Sequence, residues 1–180
     1  MDAIECIKTR RSIRTYKDEA ISRDTIREII DVARMAPTWK NSQTLRYVVV
    51  EDKEVIKKIA QEATLGFEHN NGIISKCASL VVITQINGRC GYEKDGSFTT
   101  SKGAGWEMFD AGIAAQTFCL AAHEKGVGSC ILGIFDDKKV AEIIGLEEGK
   151  TVTTLIPIGY PESVPNPTPR KEIDDLLTFI

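Results

Sequence analysis

The sequence predicts one domain, residues 1–180, of mixed α and β structure in which helices separate the strands. Three observations support this prediction. Apolar residues recur at the spacing of amphipathic helices, and short apolar runs rich in β-branched residues lie between those segments. No internal repeat or linker-like boundary interrupts the chain. A chain of 180 residues is also long enough to bury one core without metals or disulfides.

The first half of the chain is predicted to contain three helices and two strands. Ser22 and Asp52 are typical helix N-caps, each followed by an apolar stripe at helical spacing, and Pro37 ends the helix that Ser22 begins. In chain order the predicted elements are a short helix from Asp2 to Lys8, a helix with Ile26, Ile29, Ile30 and Ala33 on one face, a strand from Arg46 to Val50, a helix with Val55, Ile56, Ile59, Ala60 and Ala63 on one face, and a buried strand from Ser79 to Thr84.

The second half begins with a long loop from Asn87 to Gly105, rich in glycine, serine, threonine and charge. Loops of this length are commonly lids or binding loops, and a surface excursion is the alternative. Small residues in the next segment predict a helix that packs closely against another helix, with Gly126 as its C-terminal cap. The predicted elements are that helix from Trp106 to Lys125, a strand from Gly128 to Leu132, a helix from Asp136 to Gly145, a strand from Thr153 to Tyr160, and an extended proline-containing tail that leads to Arg170 and Lys171.

Composition argues against several functional classes. A formal net charge of −3 does not suit a general binder of nucleic acid or membrane surfaces. No stretch approaches the roughly 20 apolar residues that cross a bilayer, and the N-terminus lacks a signal-peptide core, so we expect a cytoplasmic protein. Five cysteines without CxxC spacing predict reduced thiols and no zinc site. His69 and His123 lie far apart, and neither is expected to be catalytic.

A cluster of basic residues at positions 8–14 is the strongest sign of a ligand. Arg10, Arg11 and Arg14 crowd this short segment in a chain whose net charge is negative. Planar guanidinium groups match phosphate oxygens two at a time, so the segment predicts an anion site, with a solvated basic turn as the alternative. No P-loop motif is present, and Gly126 and Gly128 precede a strand and lack the third glycine of a dinucleotide fingerprint.

Other polar segments suggest what the rest of the ligand is. The turn at residues 37–43 carries Asn41 and Gln43, whose amide groups can both donate and accept, as the edge of a pyrimidine-like ring requires. With the arginines, the strand end at residues 131–133 and the distant Arg170, this set suits a ligand with a phosphate at one end and a heteroaromatic ring at the other.

Five blocks of sequence stand out along the chain: residues 10–14, the turn Pro37-Thr38-x-x-Asn41-x-Gln43, residues 110–116, residues 126–133, and residues 158–161 followed by 169–171. In their sequence and in their order, these blocks resemble the FMN-dependent nitroreductase family. The resemblance implies an α+β fold with a central mixed sheet flanked by helices. It also implies an intertwined homodimer with one FMN in each of two sites formed between the protomers.

The resemblance implies cofactor-binding residues by position. The arginine segment would hold the FMN phosphate and ribityl chain, the polar turn would border the flavin, with Thr38 from the other subunit, and a backbone N–H near Gly133 would donate to flavin N5. No catalytic side chain and no metal are expected. The sequence departs from the family pattern at Trp39, where a small residue is usual, and at Thr44 and Leu45, where Pro-Trp is usual. The expected FMN-binding residues are Arg10, Arg11, Ser12, Arg14, Thr38, Asn41, Gln43, Ile131, Leu132, Gly133, Arg170 and Lys171.

The activity that the resemblance implies is that of an NAD(P)H-dependent FMN oxidoreductase. A hydride would pass from NADH or NADPH through flavin N5 to a small electron-poor acceptor, such as a nitroaromatic or a quinone, by a ping-pong mechanism. Enone reduction, reductive dehalogenation and flavin destruction on the same fold are alternatives, as is a flavin-binding or storage protein with little turnover. No nucleic acid or membrane partner is expected.

Overall fold

Six helices and four strands make up the chain, which the computed structural model describes over residues 1–180. Two short 3₁₀ turns lie at Trp39–Asn41 and Ile173–Asp175. None of the helices is both long and apolar enough to span a membrane. The elements are α1 (Ala3–Thr9), α2 (Arg23–Ala33), β1 (Leu45–Val50), α3 (Lys53–Glu62), α4 (Glu68–Ile74), β2 (Ser79–Ile86), α5 (Gly105–Glu124), β3 (Gly128–Ser129), α6 (Asp137–Ile144) and β4 (Lys150–Gly159).

Side-chain caps begin four of the helices. Asp2, Ser22, Asp52 and Asp136 each accept a hydrogen bond from a backbone N–H in the first turn of α1, α2, α3 and α6. These N–H groups have no partner inside the helix, so each cap stabilises its helix start. Gly145 ends α6 with a left-handed φ of 62°. The predictions based on Ser22, Asp52 and Asp136 are confirmed.

The four strands form one sheet in the order β1-β2-β4-β3, and every neighbouring pair is antiparallel. Helices α3 and α4 connect β1 to β2 and bring the start of β2 beside the end of β1, where Val50 lies opposite Leu80. The two strands therefore pair in antiparallel orientation. The regular strands thus form an antiparallel sheet, where the family resemblance implied a mixed one. Its parallel component is a single bridge between Ser12 and Ser129 at the β3 edge. The α+β fold class itself is confirmed.

Helices cover both faces of the sheet. Along β2, alternate side chains point to opposite faces. Leu80 and Val82 pack in a core with α3, α4 and α6, whereas Val81 and Ile83 pack with α2 and α5. Because both faces are covered, β2 is apolar almost throughout. Ala115 and Ala122 of α5 share a core with Ile29 and Ala33 of α2, so the predicted packing of α5 against another helix is confirmed.

Two elements differ from the sequence-based expectation. Helix α4 has a sequence poor in helix formers and was not predicted; Asn70 supports it by donating to the carbonyl of Ile134 at 3.0 Å. Strand β3 spans only two residues, where a strand from Gly128 to Leu132 was predicted. Pro157 of β4 lies opposite Cys130 and has no N–H to donate, so the ladder is interrupted there and resumes as an isolated bridge between Leu132 and Leu155.

Candidate functional site

The arginine loop, residues 8–14, is fixed to the β3 edge of the sheet by the residues that follow α1. The N–H of Ile13 donates to the carbonyl of Ser129 at 3.0 Å. The hydroxyl of Tyr16 donates to the carbonyls of Ile13 and Pro157 at 2.7 and 3.0 Å. Ile13 and Tyr16 are buried, and Arg14 between them is exposed. The alternation anchors the loop while its basic side chains face outward.

Two glycines allow the close approach of this loop to the sheet. A Cβ added to Gly128 would lie 2.8 Å from the Ile13 side chain, and one added to Gly159 would lie 2.7 Å from the Tyr16 ring. Real Cβ contacts are not this short, so any larger residue would displace the loop. The two glycines therefore set the position of the basic side chains.

A cavity of about 520 Å³ lies over the arginine loop. Its five cationic side chains include Arg170, which the C-terminal tail brings to the loop as the sequence predicted. No carboxylate lines the cavity, and none of these five cations forms an ion pair. We call it the cationic cavity; its lining is Ile7, Lys8, Arg10, Arg11, Ser12, Arg14, Pro165, Asn166, Pro167, Thr168 and Arg170.

The positive charge of the loop also acts on neighbouring groups. His123, whose Nε2 lies 2.9 Å from the hydroxyl of Thr9, has its pKa lowered by burial and then by the charge of Arg10. Burial raises the pKa of the Cys130 thiol, and the nearby Arg14 opposes that rise. A field that disfavours added positive charge favours a bound anion.

The segment at residues 131–133 runs along the same sheet edge. Leu132 exchanges two backbone hydrogen bonds with Leu155, and its carbonyl also accepts from the hydroxyl of Thr154 at 3.0 Å. The Leu132 side chain is buried in the core, whereas Ile131 and Gly133 are exposed. The N–H of Gly133 has no hydrogen-bond partner within the chain, so it is free to donate to a ligand.

The polar turn, residues 37–43, precedes β1. The hydroxyl of Thr38 accepts a hydrogen bond from the N–H of Gln43 at 3.1 Å, which closes the turn. Thr38 and Gln43 line a second pocket of about 320 Å³, together with Tyr47 and residues of α2 and α5. Asn41 is exposed and does not line that pocket. Its side chain makes no hydrogen bond within the chain.

The polar turn and the arginine loop lie at opposite edges of the sheet. Three strand spacings separate β1 from β3, and the turn lies near the level of Thr151 on β4, whereas the arginine loop lies near Ile158. At standard strand spacing and rise, this places them roughly 14 Å apart across the sheet and roughly 23 Å apart along it. One chain therefore does not bring all the expected residues into one pocket. Lys171 is exposed and does not line the cationic cavity.

Lys8 and Asp110 were not among the expected FMN-binding residues. Lys8 lines the cationic cavity, and its place in the basic segment was the available signal. Asp110 is only 2% exposed and accepts hydrogen bonds from two other segments. A charged residue among the apolar and small residues of α5 is the sequence signal that could have identified Asp110.

Comparison with known proteins identifies the family. The nitroreductase family model matches residues 7–72 and 68–160, so the chain belongs to that family. A protein of Archaeoglobus fulgidus, described as a candidate NADH dehydrogenase/NAD(P)H nitroreductase, is 30% identical over 165 residues, covering 88% of this chain and 86% of the relative. The FMN reductase (NADPH) of Bacillus subtilis is 26% identical over 178 residues, covering 94% of this chain and 70% of that enzyme.

Solved structures agree with this membership. The FMN-dependent nitroreductase of Clostridium difficile has a TM-score of 0.72 and 28% sequence identity, and the match covers 96% of this chain and 94% of that one. The family resemblance inferred from the five sequence blocks is confirmed. The expected class, an NAD(P)H-dependent oxidoreductase that uses FMN, is confirmed with it.

Proposed function

We propose that this chain holds FMN at the cationic cavity and reduces a small electron-poor acceptor, such as a nitroaromatic or a quinone, by a ping-pong mechanism. The observation that carries this proposal is the cavity itself. Five cations without a carboxylate partner lie over one sheet edge, and the free N–H of Gly133 lies further along the same edge. Such a set suits a ligand with an anionic end and a ring that accepts a hydrogen bond.

The residues present fit FMN. Arg10, Arg11, Arg14 and Arg170 would neutralise the phosphate, and the Ser12 hydroxyl would add a hydrogen bond near the ribityl chain. When bound, FMN supplies the redox chemistry, accepting a hydride from NADH or NADPH and passing it on through N5.

The other protein groups orient the ring. Gly133 offers its N–H to flavin N5, and the exposed Ile131 offers apolar contact, whereas Leu132 contributes through the backbone that holds its neighbours. Fixed donors of this kind stabilise charge that develops on a ligand because they need no reorganisation. We assign no proton transfer to a side chain, and Lys171 would act only as a further positive charge near Arg170.

We propose that a homodimer completes the site. The polar turn lies too far from the arginine loop to border the same ring within one chain. A second copy would bring its Thr38, Asn41 and Gln43 to the ring, where their amide and hydroxyl groups can donate and accept. The homodimer thereby accounts for the position of both groups of residues.

The proposal is tested with purified protein titrated with FMN and with riboflavin, which lacks the phosphate. We expect a yellow protein with about one FMN per chain and much weaker binding of riboflavin, because charge-assisted contacts to phosphate are lost. Anaerobic NADH or NADPH should bleach the flavin absorbance, and a nitroaromatic or quinone should restore it. A colourless protein that ignores added FMN would refute the proposal, and an FMN complex that no reductant bleaches would identify a storage protein instead.

A further inference from the structure

Asp110 connects two segments that are far apart in sequence. It lies on α5 and is 2% exposed. Its Oδ2 atom accepts a hydrogen bond from the N–H of Trp39 at 2.8 Å and another from the thiol of Cys90 at 3.1 Å. Trp39 belongs to the polar turn, and Cys90 to the long loop, residues 87–104. A buried carboxylate is retained only with such partners, so both bonds matter to this part of the molecule.

The polar turn has a backbone that needs support. Lys40, Asn41 and Gln43 have φ values of 46°, 54° and 49°, in the left-handed region that disfavours residues other than glycine. Three such residues in four positions persist only where surrounding contacts hold them. The Trp39 N–H bonded to Asp110 directly precedes these three residues.

The long loop is fastened to the polar turn by the same region. The Lys40 ammonium lies 3.4 Å from the carboxylate of Glu93 in the loop. The rings of Trp39 and Trp106, the latter in α5, pack at a tilt with centroids 4.6 Å apart, and the Trp106 indole N–H donates to the hydroxyl of Thr100 in the loop at 2.8 Å. The Cys90 thiol is fully buried; burial first, and then the bond to Asp110, raises its pKa to about 12. The thiol therefore stays protonated and keeps donating at neutral pH. These contacts hold the long loop against the polar turn.

We infer that Asp110 is a positioning residue that holds the polar turn in the shape required to border the flavin, with the loop clamped behind it through Cys90. The functional part of this inference rests on the function proposed above. We call the two hydrogen bonds that Asp110 accepts from Trp39 and Cys90 the clamp. The clamp does not depend on FMN, so an experiment can contradict it without contradicting the proposed function, and the reverse. Asp110 touches no ligand and acts only through Trp39 and Cys90.

Hydrogen exchange and FMN titration test this role in the FMN-loaded protein. In the parent, the Trp39 amide should exchange as slowly as amides in the middle of α5. In Asp110→Ala, exchange of the amides at residues 39–43 should rise about tenfold or more, because their anchor is lost. FMN affinity should fall about tenfold through the same loss. Asp110→Asn should restore both nearly to the parent values, because the amide oxygen can accept both hydrogen bonds.

Matched variants exclude a general loss of packing. Cys90→Ala should speed exchange in the loop and in the turn. Cys119→Ala removes a different buried thiol, one that lies on α5, and should change neither. A fast Trp39 amide in the parent, or unchanged exchange in Asp110→Ala, would overturn the clamp even if FMN binds as proposed. If Asp110→Ala does not fold, the parent amide and the Cys90→Ala comparison decide the outcome. A protein that binds no FMN but shows the exchange pattern would keep the clamp and lose its functional part.

Discussion

Two guanidinium groups of the arginine loop, those of Arg11 and Arg14, are held by neutral oxygen atoms and not by carboxylates. Arg11 donates to the carbonyls of Lys8 and Arg10 at 2.7 and 2.8 Å, and Arg14 donates to the carbonyl of Ser12 at 3.3 Å. Such bonds fix the direction of a guanidinium and leave its charge uncompensated. Like charges held close together repel, and an anion that enters removes that repulsion as it adds its own attraction.

This arrangement leads to a prediction at the residue scale. Arg14→Ala should weaken FMN binding about ten- to a hundredfold, because one charge-assisted contact of about 1.5–3 kcal/mol is lost. Riboflavin has the same ring and ribityl chain without the phosphate, so its affinity should not change. Quenching of flavin fluorescence during titration measures both affinities.

A control separates this contact from a change in total charge. Arg27→Ala removes the same charge from the exposed face of α2, outside the cavity, and should leave both affinities unchanged. Equal FMN affinity in Arg14→Ala and its parent would contradict the phosphate role. An equal loss for riboflavin and FMN would mean that the loop had moved.

At the scale of elements, the arginine loop depends on its fit to β3 and β4. Ile13 lies against Gly128, and Tyr16 lies against Gly159. Gly128→Ala should therefore destabilise the protein by about 1–3 kcal/mol, because the added methyl group overpacks this contact. It should also weaken FMN binding, since the loop can relieve the overlap only by moving. Urea unfolding and FMN titration are the measurements.

The matched control is a glycine without this restriction. A Cβ added to Gly72 in α4 would meet no atom within 4 Å, and its φ is not in the left-handed region. Gly72→Ala should stabilise the protein by about 0.4–1 kcal/mol and leave FMN affinity unchanged. Equal stability of Gly128→Ala and its parent would show that the loop does not need the close approach.

The elements with strong local signals were predictable from the sequence, and those that depend on distant contacts were not. Caps and apolar stripes predicted α2 and α3, whereas α4 forms because Asn70 bonds to Ile134 and its isoleucines are buried. The basic segment predicted an anion site, and Arg170 indeed lies beside it. The distance from that site to Thr38 depends on strand order, which no local pattern encodes. The link from Asp110 to Trp39 joins residues 71 positions apart and was invisible for the same reason.

At the scale of the whole molecule, large apolar side chains of α5 and α1 are exposed, and the proposed homodimer offers a reason for them. Met108 and Phe109, near the start of α5, are 58% and 57% exposed. Ile4 and Ile7 of α1, which lies beside the other end of α5, are similarly exposed. Adjacent exposed apolar side chains such as Met108 and Phe109 are typical of interaction surfaces. The proposed homodimer is also supported by the separation of the two groups of flavin-binding candidates, because a second copy would bring a polar turn to each cationic cavity.

Met108→Glu tests both conclusions together. If the exposed face of α5 is the interface, burying a carboxylate there has a high free-energy cost and should shift the protein from dimer to monomer in sedimentation experiments. FMN affinity should fall at least about tenfold at the concentrations where the variant is monomeric, because the polar turn of the second copy is lost. Leu65→Glu places the same charge at an exposed leucine between α3 and α4, on the opposite face of the sheet, and should remain dimeric with parental affinity. A monomeric parent that binds FMN tightly would contradict the shared site, whereas a Met108→Glu dimer with full affinity would move the interface away from α5.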